Sequence, residues 1–181
     1  MEELQRVMRE VKVVPHQTHW NELFHREKEL LQTILPKEAI IHHIGSTSVS
    51  GLSAKPIIDI LVEVSSLDEI DGMQNFFQRL GYIGKGEHGI PNRRFFLKDH
   101  EGRRIVNLHI FLKDTHEVTR HLAVRDYLKK HELEARKYGE LKEAVAKLNP
   151  HDIEGYIQGK DTYVKQLEKR ALDWHEKNRS E

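Results

Sequence analysis

His42-His43-Ile44-Gly45-Ser46-Thr47-Ser48-Val49-Ser50-Gly51-Leu52-Ser53-Ala54-Lys55-Pro56-Ile57-Ile58-Asp59-Ile60-Leu61-Val62-Glu63-Val64 is the stretch on which the reading of this chain turns. The apolar run Ala39-Ile40-Ile41 leads into it, and Gly45 stops the strand. Three hydroxyls follow: Ser46, Thr47 and Ser48. Residues 47–54 are small and read as one or two turns of helix. After Lys55 and Pro56, Ile57 to Val64 read as a second strand, apolar on both faces and therefore central. One carboxylate, Asp59, sits inside it, and a buried strand tolerates a charge only when something pairs it. A Gly-Ser turn between a strand and a helix presents backbone N–H groups and hydroxyls to an anion, usually phosphate. Gly45, Ser46, Thr47 and Ser48 are therefore candidate phosphate-binding residues, with a plain capped turn as the bland alternative. The Walker arrangement is excluded, because Lys55 is followed by Pro56 and not by Ser or Thr.

Outward from this stretch, Thr18 is placed to cap a helix whose apolar positions Leu23, Phe24, Leu30, Leu31 and Ile34 share one face. Val11, Val13 and Val14 before Pro15 read as a short extended segment. Ser66 or Asp68 starts one helix with Ile70, Met73, Phe76, Phe77 and Leu80 inward, ended by Gly81. Tyr82-Ile83 is a short strand, and residues 84–91, with three glycines and a proline, form a mobile loop. Arg93–Leu97 and Arg103–Leu112 read as a hairpin, and helices run from Thr115 to Lys130, from Glu132 to Leu148, and from beyond Pro150 to the end. The aromatics Trp20, Phe24, Phe76, Phe77 and Trp174 fall at helical spacing and are assigned to the core. Strands in the middle with helices at both ends indicate an α/β or α+β domain, and the expectation taken is α+β, one domain over 1–181 with residues 115–181 mostly helical and packed on the sheet.

The 181 residues carry equal numbers of acidic and basic side chains, so no broad nucleic-acid or membrane surface is expected. No stretch approaches the ~20 apolar residues of a membrane span. There is no cysteine, which removes disulfides and thiolate zinc sites and fits a reducing cytoplasm.

Gly45-Ser46 followed thirteen positions later by Asp59 resembles the fingerprint of the polymerase-β-type nucleotidyltransferase superfamily. Nearly the whole chain resembles the bacterial GrpB family within it. The resemblance rests on His43–Val49, Gly51-Leu52, Ala54-Lys55-Pro56, Ile58-Asp59-Ile60, Gly81-Tyr82, Arg93–Phe96, Asn107-Leu108-His109, Arg125–Leu128 and Tyr156 with Lys160. It implies a mixed sheet with flanking helices and a helical C-terminal part. The family has no established activity, so it implies a fold more than a function. The superfamily implies a nucleoside triphosphate as substrate or ligand, Gly45-Ser46 on its phosphates, and acids holding Mg²⁺. The chain departs from that pattern: Leu61 stands where the second acid belongs, and Glu63 lies about 13 Å along the strand from Asp59. The resemblance then makes His109 the stand-in for a third acid, with His43 able to join. An Asp59, His109, His43 metal set suits Mn²⁺ or Zn²⁺ better than Mg²⁺; a hydrogen-bonded buried His109 is the alternative. Lys55, Arg94, Arg125 and Lys160 are expected to complete the phosphate pocket. Alternation puts Arg93 with Phe95 and Arg94 with Phe96, so one arginine of the two enters. Asp59 and His109 are the catalytic candidates. Three functions follow: a nucleotide or phosphometabolite enzyme with one divalent metal, a non-catalytic nucleotide-binding module, and a ligand-free interaction protein.

Overall fold

The computed structural model describes residues 10–179. Five strands form one mixed sheet in the order β1-β2-β5-β4-β3: β1 Ile40–Ile44, β2 Ile58–Val64, β3 Tyr82–Gly84, β4 Arg94–His100 and β5 Arg103–Leu112. Only β2 and β5 run parallel, with Asp59 opposite Asn107 and Leu61 opposite His109; every other neighbouring pair is antiparallel.

β2 is central because both its faces are covered. Ile58, Ile60, Val62 and Val64 pack with Val106, Leu108 and Ile110 of β5 against Trp20, Phe24 and Leu31 of helix α1 (His19–Gln32). Ile70 of α2 (Leu67–Asp71) and Phe77 of α3 (Gln74–Arg79) close the same face. Each such apolar side chain contributes roughly 1.5–3 kcal/mol when taken out of water. A polar tie joins this layer to the sheet edge. Glu27 of α1 accepts hydrogen bonds from the Tyr82 hydroxyl (2.6 Å) and from Lys98 Nζ (2.8 Å). On the other face Leu61, Ile44 and Phe111 pack with Val118 of α4 (His116–Lys130). The helices α5 (Glu132–Leu148) and α6 (Ile153–Arg179) close over the segment after β1, where Val49 and Leu52 meet Leu128, Ala135, Tyr138 and Leu167. Among the described residues no helix is long and apolar enough to cross a membrane.

Three local expectations are corrected, and one, the one or two turns of helix at 47–54, is narrowed to one. Thr18 does not cap α1: its backbone is already helical, and the Trp20 N–H bonds the Gln17 carbonyl instead. Residues 47–54 hold no second turn of helix. A single 3-10 turn spans Ser46–Ser48, Gly51 takes a left-handed conformation, and Ala54 pairs with Val14 as an isolated bridge. The helix expected through residue 80 is broken at Gly72-Met73, where glycine's helix cost of ~1 kcal/mol favours a stop. Phe76, on the far side of that break, is turned out and 47% exposed. Ser66, by contrast, caps α2 by accepting from the Glu69 N–H.

Candidate functional site

The site begins where β1 runs out. Gly45 has φ +70°, and a Cβ added there would lie 2.7 Å from Asp59 Oδ2. A bare Cα is thus what lets the turn lie against the carboxylate. The three hydroxyls diverge. Ser48 Oγ folds back onto the Gly45 carbonyl (2.5 Å). Buried Thr47 joins His43 Nε2 (3.0 Å). Ser46 Oγ accepts a hydrogen bond from Lys142 Nζ at 2.6 Å.

Beyond Ser46 lies a cavity of about 150 Å³. Ser46, Lys55, Asp59, Asn107, Lys142 and Lys160 line it, with Tyr156 at the side. Three lysines therefore converge from the loop before β2, from α5 and from α6. Among the described residues none of them forms an ion pair with a carboxylate within 4 Å. Tyrosine rings flank them instead. Lys142 Nζ is 4.5 Å from the Tyr138 ring centre; Lys160 and Lys55 are 4.9 and 5.2 Å from that of Tyr156. Lys142 is 2% exposed. Burial, with the nearby charges of Lys160 and Lys55, pushes its ammonium down to about 6. Burial and Lys55 push Lys160 down to about 8. Lys55 is also lowered, chiefly by burial.

Asp59 is the one acid on the cavity wall. Burial alone would raise its carboxyl, but hydrogen bonds from His109 and Asn107 and the Lys55 charge outweigh it and hold Asp59 below the usual carboxylate range. His109 is oriented from behind. Arg93 NH1 lies 3.2 Å from His109 Nδ1, and a guanidinium can only donate. Nδ1 is therefore the acceptor, and Nε2 carries the hydrogen that faces Asp59 Oδ1 at 3.4 Å. The rest of the Arg93 fork holds the carbonyls of Glu87 and His88, which organises the glycine-rich loop around that guanidinium.

Gly45, Ser46, Thr47, Lys55, Asp59 and Lys160 come together as the sequence predicted, with His109 behind Asp59. Ser48 turns back into its own turn. His43 sits on the opposite sheet face, paired with Ile60 in register and stacked on Phe24 at 4.7 Å. Arg94 points away and forms a two-pronged pair with Asp71 (2.6 and 3.0 Å); strand parity sends Arg93 to the site face in its stead. Arg125 holds Asp126 and the His43 carbonyl and does not line the cavity. Lys142, Asn107 and Tyr156 are the polar wall residues that the sequence reading did not place in the site, beside the apolar Ala54 and Ile57. Lys142 carried a legible signal: it occupies the buried stripe Ala135, Tyr138, Gly139, Lys142, Val145, Ala146 of α5.

The donor set does not fit a resident divalent cation. Leu61 is buried among Ile44, Phe111 and Val118. Glu63 is bonded to His42 at 2.7 Å. His109 presents a hydrogen, not a lone pair, toward Asp59. Among the described residues no group of three or more His, Cys, Asp or Glu is assembled to hold a metal.

Comparison with known proteins agrees with this architecture. UPF0157 protein YqkA of Bacillus subtilis (strain 168) is 40% identical over 167 residues, 92% of this chain and 48% of its own. The chain thus spans about half the length of that relative. The crystal structure of the conserved protein GrpB from Enterococcus faecalis matches with a TM-score of 0.86 at 39% identity, covering 91% of this chain and 99% of the other. Cid1, described for its RNA terminal uridylyl transferase activity, matches at TM-score 0.50 and 14% identity over 78% of this chain and 45% of its own, a likeness of fold alone. The family model described as GrpB protein matches residues 10–170, nearly the whole of the described chain from ahead of α1 through most of α6, and the chain belongs to the GrpB family.

Proposed function

We propose that the cavity beside the Gly45–Ser48 turn binds a phosphorylated small molecule, a nucleotide or related phosphometabolite, by its phosphate group. The observation that carries this reading is the convergence of Lys55, Lys142 and Lys160 on one cavity with a single carboxylate. Ammonium groups taken out of water without counter-charges are costly, and an anion offsets that cost. Ser46 and Asn107 supply neutral hydrogen-bonding groups for phosphate oxygens beside them. At about 150 Å³ the cavity is smaller than the ~300–1,000 Å³ pockets that enclose whole drug-sized ligands. It therefore takes the ionic head of a ligand and leaves a sugar or base outside.

A second reading, nucleotidyl transfer, is favoured by Asp59. Its ionised carboxylate shares the cavity with the lysines and is the one wall carboxylate able to accept a proton from an attacking hydroxyl. The test is a thermal-shift panel of nucleoside triphosphates, sugar phosphates and inorganic phosphate on wild type, Lys160→Gln and Asp59→Asn, with product analysis in parallel. A phosphate ligand at a hundred times its Kd is expected to stabilise wild type by about 2.7 kcal/mol. Lys160→Gln is expected to lose most of that shift. Asp59→Asn is expected to keep the shift and to lose any transfer product. A panel without a shift for any phosphate would remove the binding reading.

A further inference from the structure

We infer that the Lys55–Lys142–Lys160 cluster stands in the place a divalent cation would hold, so that the cavity binds phosphate groups directly, without metal, and takes up a proton on Lys142 as the anion enters. The inference rests on the phosphate reading above and goes beyond it in naming the counter-charge and the proton balance.

The charge on the wall is the first support. A metal-assisted phosphate site needs several oxygen donors to hold its cation. Here Asp59 is the only carboxylate lining the cavity, and three ammonium-bearing side chains surround the same space. A divalent cation placed among them would face the Lys55 and Lys160 ammonium groups and the amine of Lys142. A phosphate placed there meets two unlike charges and gains a third when Lys142 is protonated, with Ser46 and Asn107 on the same wall.

The second support is how Lys142 is held. It is 2% exposed, bonded to Ser46 Oγ at 2.6 Å, and without a carboxylate within ion-pair distance among the described residues. Groups face it from every element around it: Ser46 of the turn, Lys55 of the loop, Asp59 of β2, Tyr138 and Glu143 of α5, and Lys160 of α6. Burial first, and then the charges of Lys160 and Lys55, disfavour its ammonium form. Its amine is therefore largely neutral near pH 7, and an arriving anion reverses the balance. One proton moves from solvent to Lys142 Nζ, no bond of the ligand is broken, and the bound complex carries the ammonium form. Proton uptake is largest where the free amine is neutral and vanishes where it is already protonated.

The experiment is calorimetric titration of the full chain with inorganic pyrophosphate, in excess EDTA and in excess Mg²⁺, in two buffers of different ionisation enthalpy. In EDTA near pH 7, binding is expected with wild type taking up about one proton per site more than Lys142→Met, which corrects for protons released by pyrophosphate itself, and with that difference fading toward pH 5. Lys142→Met is expected to weaken binding by about tenfold or more. Should that variant fail to fold by circular dichroism, Lys160→Gln is measured, with the same expected weakening and a reduced uptake near pH 7, because without the Lys160 charge more of Lys142 is already protonated. Binding seen only with Mg²⁺ would overturn the inference and leave the phosphate reading standing. So would binding to Lys142→Met at wild-type strength, or a proton balance on binding that is the same in wild type and Lys142→Met. Absence of binding in both conditions would overturn the phosphate reading itself.

Discussion

Lys142 stands in a stripe of α5 that its neighbours give to buried, mostly apolar side chains, and its ammonium is held down at about 6 against the ordinary 10.5. Between those values the unfolded chain binds the proton more readily than the folded one, so stability attributable to this residue rises with pH across that window. The slope is up to about 1.4 kcal/mol per pH unit for one proton. Lys142→Met is expected to be more stable than wild type near pH 6, with the difference shrinking as pH rises; urea unfolding at several pH values measures it. A variant less stable than wild type near pH 6 would show that the amine supports the fold. Gly45 is the converse case. With φ +70° and Asp59 Oδ2 at 2.7 Å from an added Cβ, Gly45→Ala is expected to cost ~1–3 kcal/mol and to displace the turn from the carboxylate. Thermal unfolding and the phosphate shift together read both effects. Sequence showed Gly45, Ser46 and Asp59 plainly, because their spacing is local. It did not show which of Arg93 and Arg94 enters. That choice depends on strand parity, which only the pairing of Phe95 with His109 fixes.

At the scale of elements, the site depends on how closely α5 and α6 approach. A Cβ on Gly159 would lie 2.6 Å from Val145 Cγ1, and one on Gly139 would lie 3.4 Å from Leu52 Cδ1 and Ser53 N. Two glycines inside helices, each at a helix cost of ~1 kcal/mol, thus seat α5 against the turn segment and α6 against α5. Lys160 is the next residue after Gly159, and Lys142 lies one turn beyond Gly139. Gly159→Ala is expected to destabilise by ~1–3 kcal/mol through overpacking and to weaken phosphate binding. Val145→Ala, which removes the opposing methyl, is expected to restore part of both in the double variant. Additive losses in that cycle would argue against a direct contact. The helices themselves were legible from periodicity, and so was β2 from its unbroken apolar run. The break at Gly72-Met73 was not, because the apolar positions on either side keep a helical spacing across it. Nor was the missing turn in 49–54, where small residues left the choice to Val14, which pairs with Ala54.

For the whole molecule, the buried titratable groups set where the fold is most stable. His43 and His121 are each held down at about 4, chiefly by burial, and titrate near 6.5 when unfolded. Their contribution is complete above about pH 6.5 and is lost as pH falls toward 4. Lys142 and Lys160 go on adding stability as pH rises toward the ordinary lysine range. Tyr82, Tyr138 and Tyr156 are all raised, chiefly by burial, so their contribution is lost above about pH 10, where the unfolded chain gives up its phenolic protons. The stability maximum of the ligand-free protein is therefore expected between about pH 8 and 10. A profile of thermal midpoint against pH checks this, and a maximum at or below pH 7 would contradict it. Saturating phosphate is expected to shift the maximum toward neutrality, since the anion restores the charge on the lysines. The helical flanks were foreseeable from the order of patterns along the chain, and the mixed sheet from the family resemblance. The lysine convergence was not, since Lys55, Lys142 and Lys160 are far apart in sequence and meet only through packing.

That separation has a consequence for how the chain is made. The strand bearing Asp59 leaves the ribosome roughly a hundred residues before Lys160 does. At about 5–20 residues per second, the acid-bearing face of the sheet waits on the order of ten seconds for the helices that cover it. Through that interval the nascent protein carries an uncovered carboxylate and an unfinished anion pocket, and its binding capacity arrives with α6.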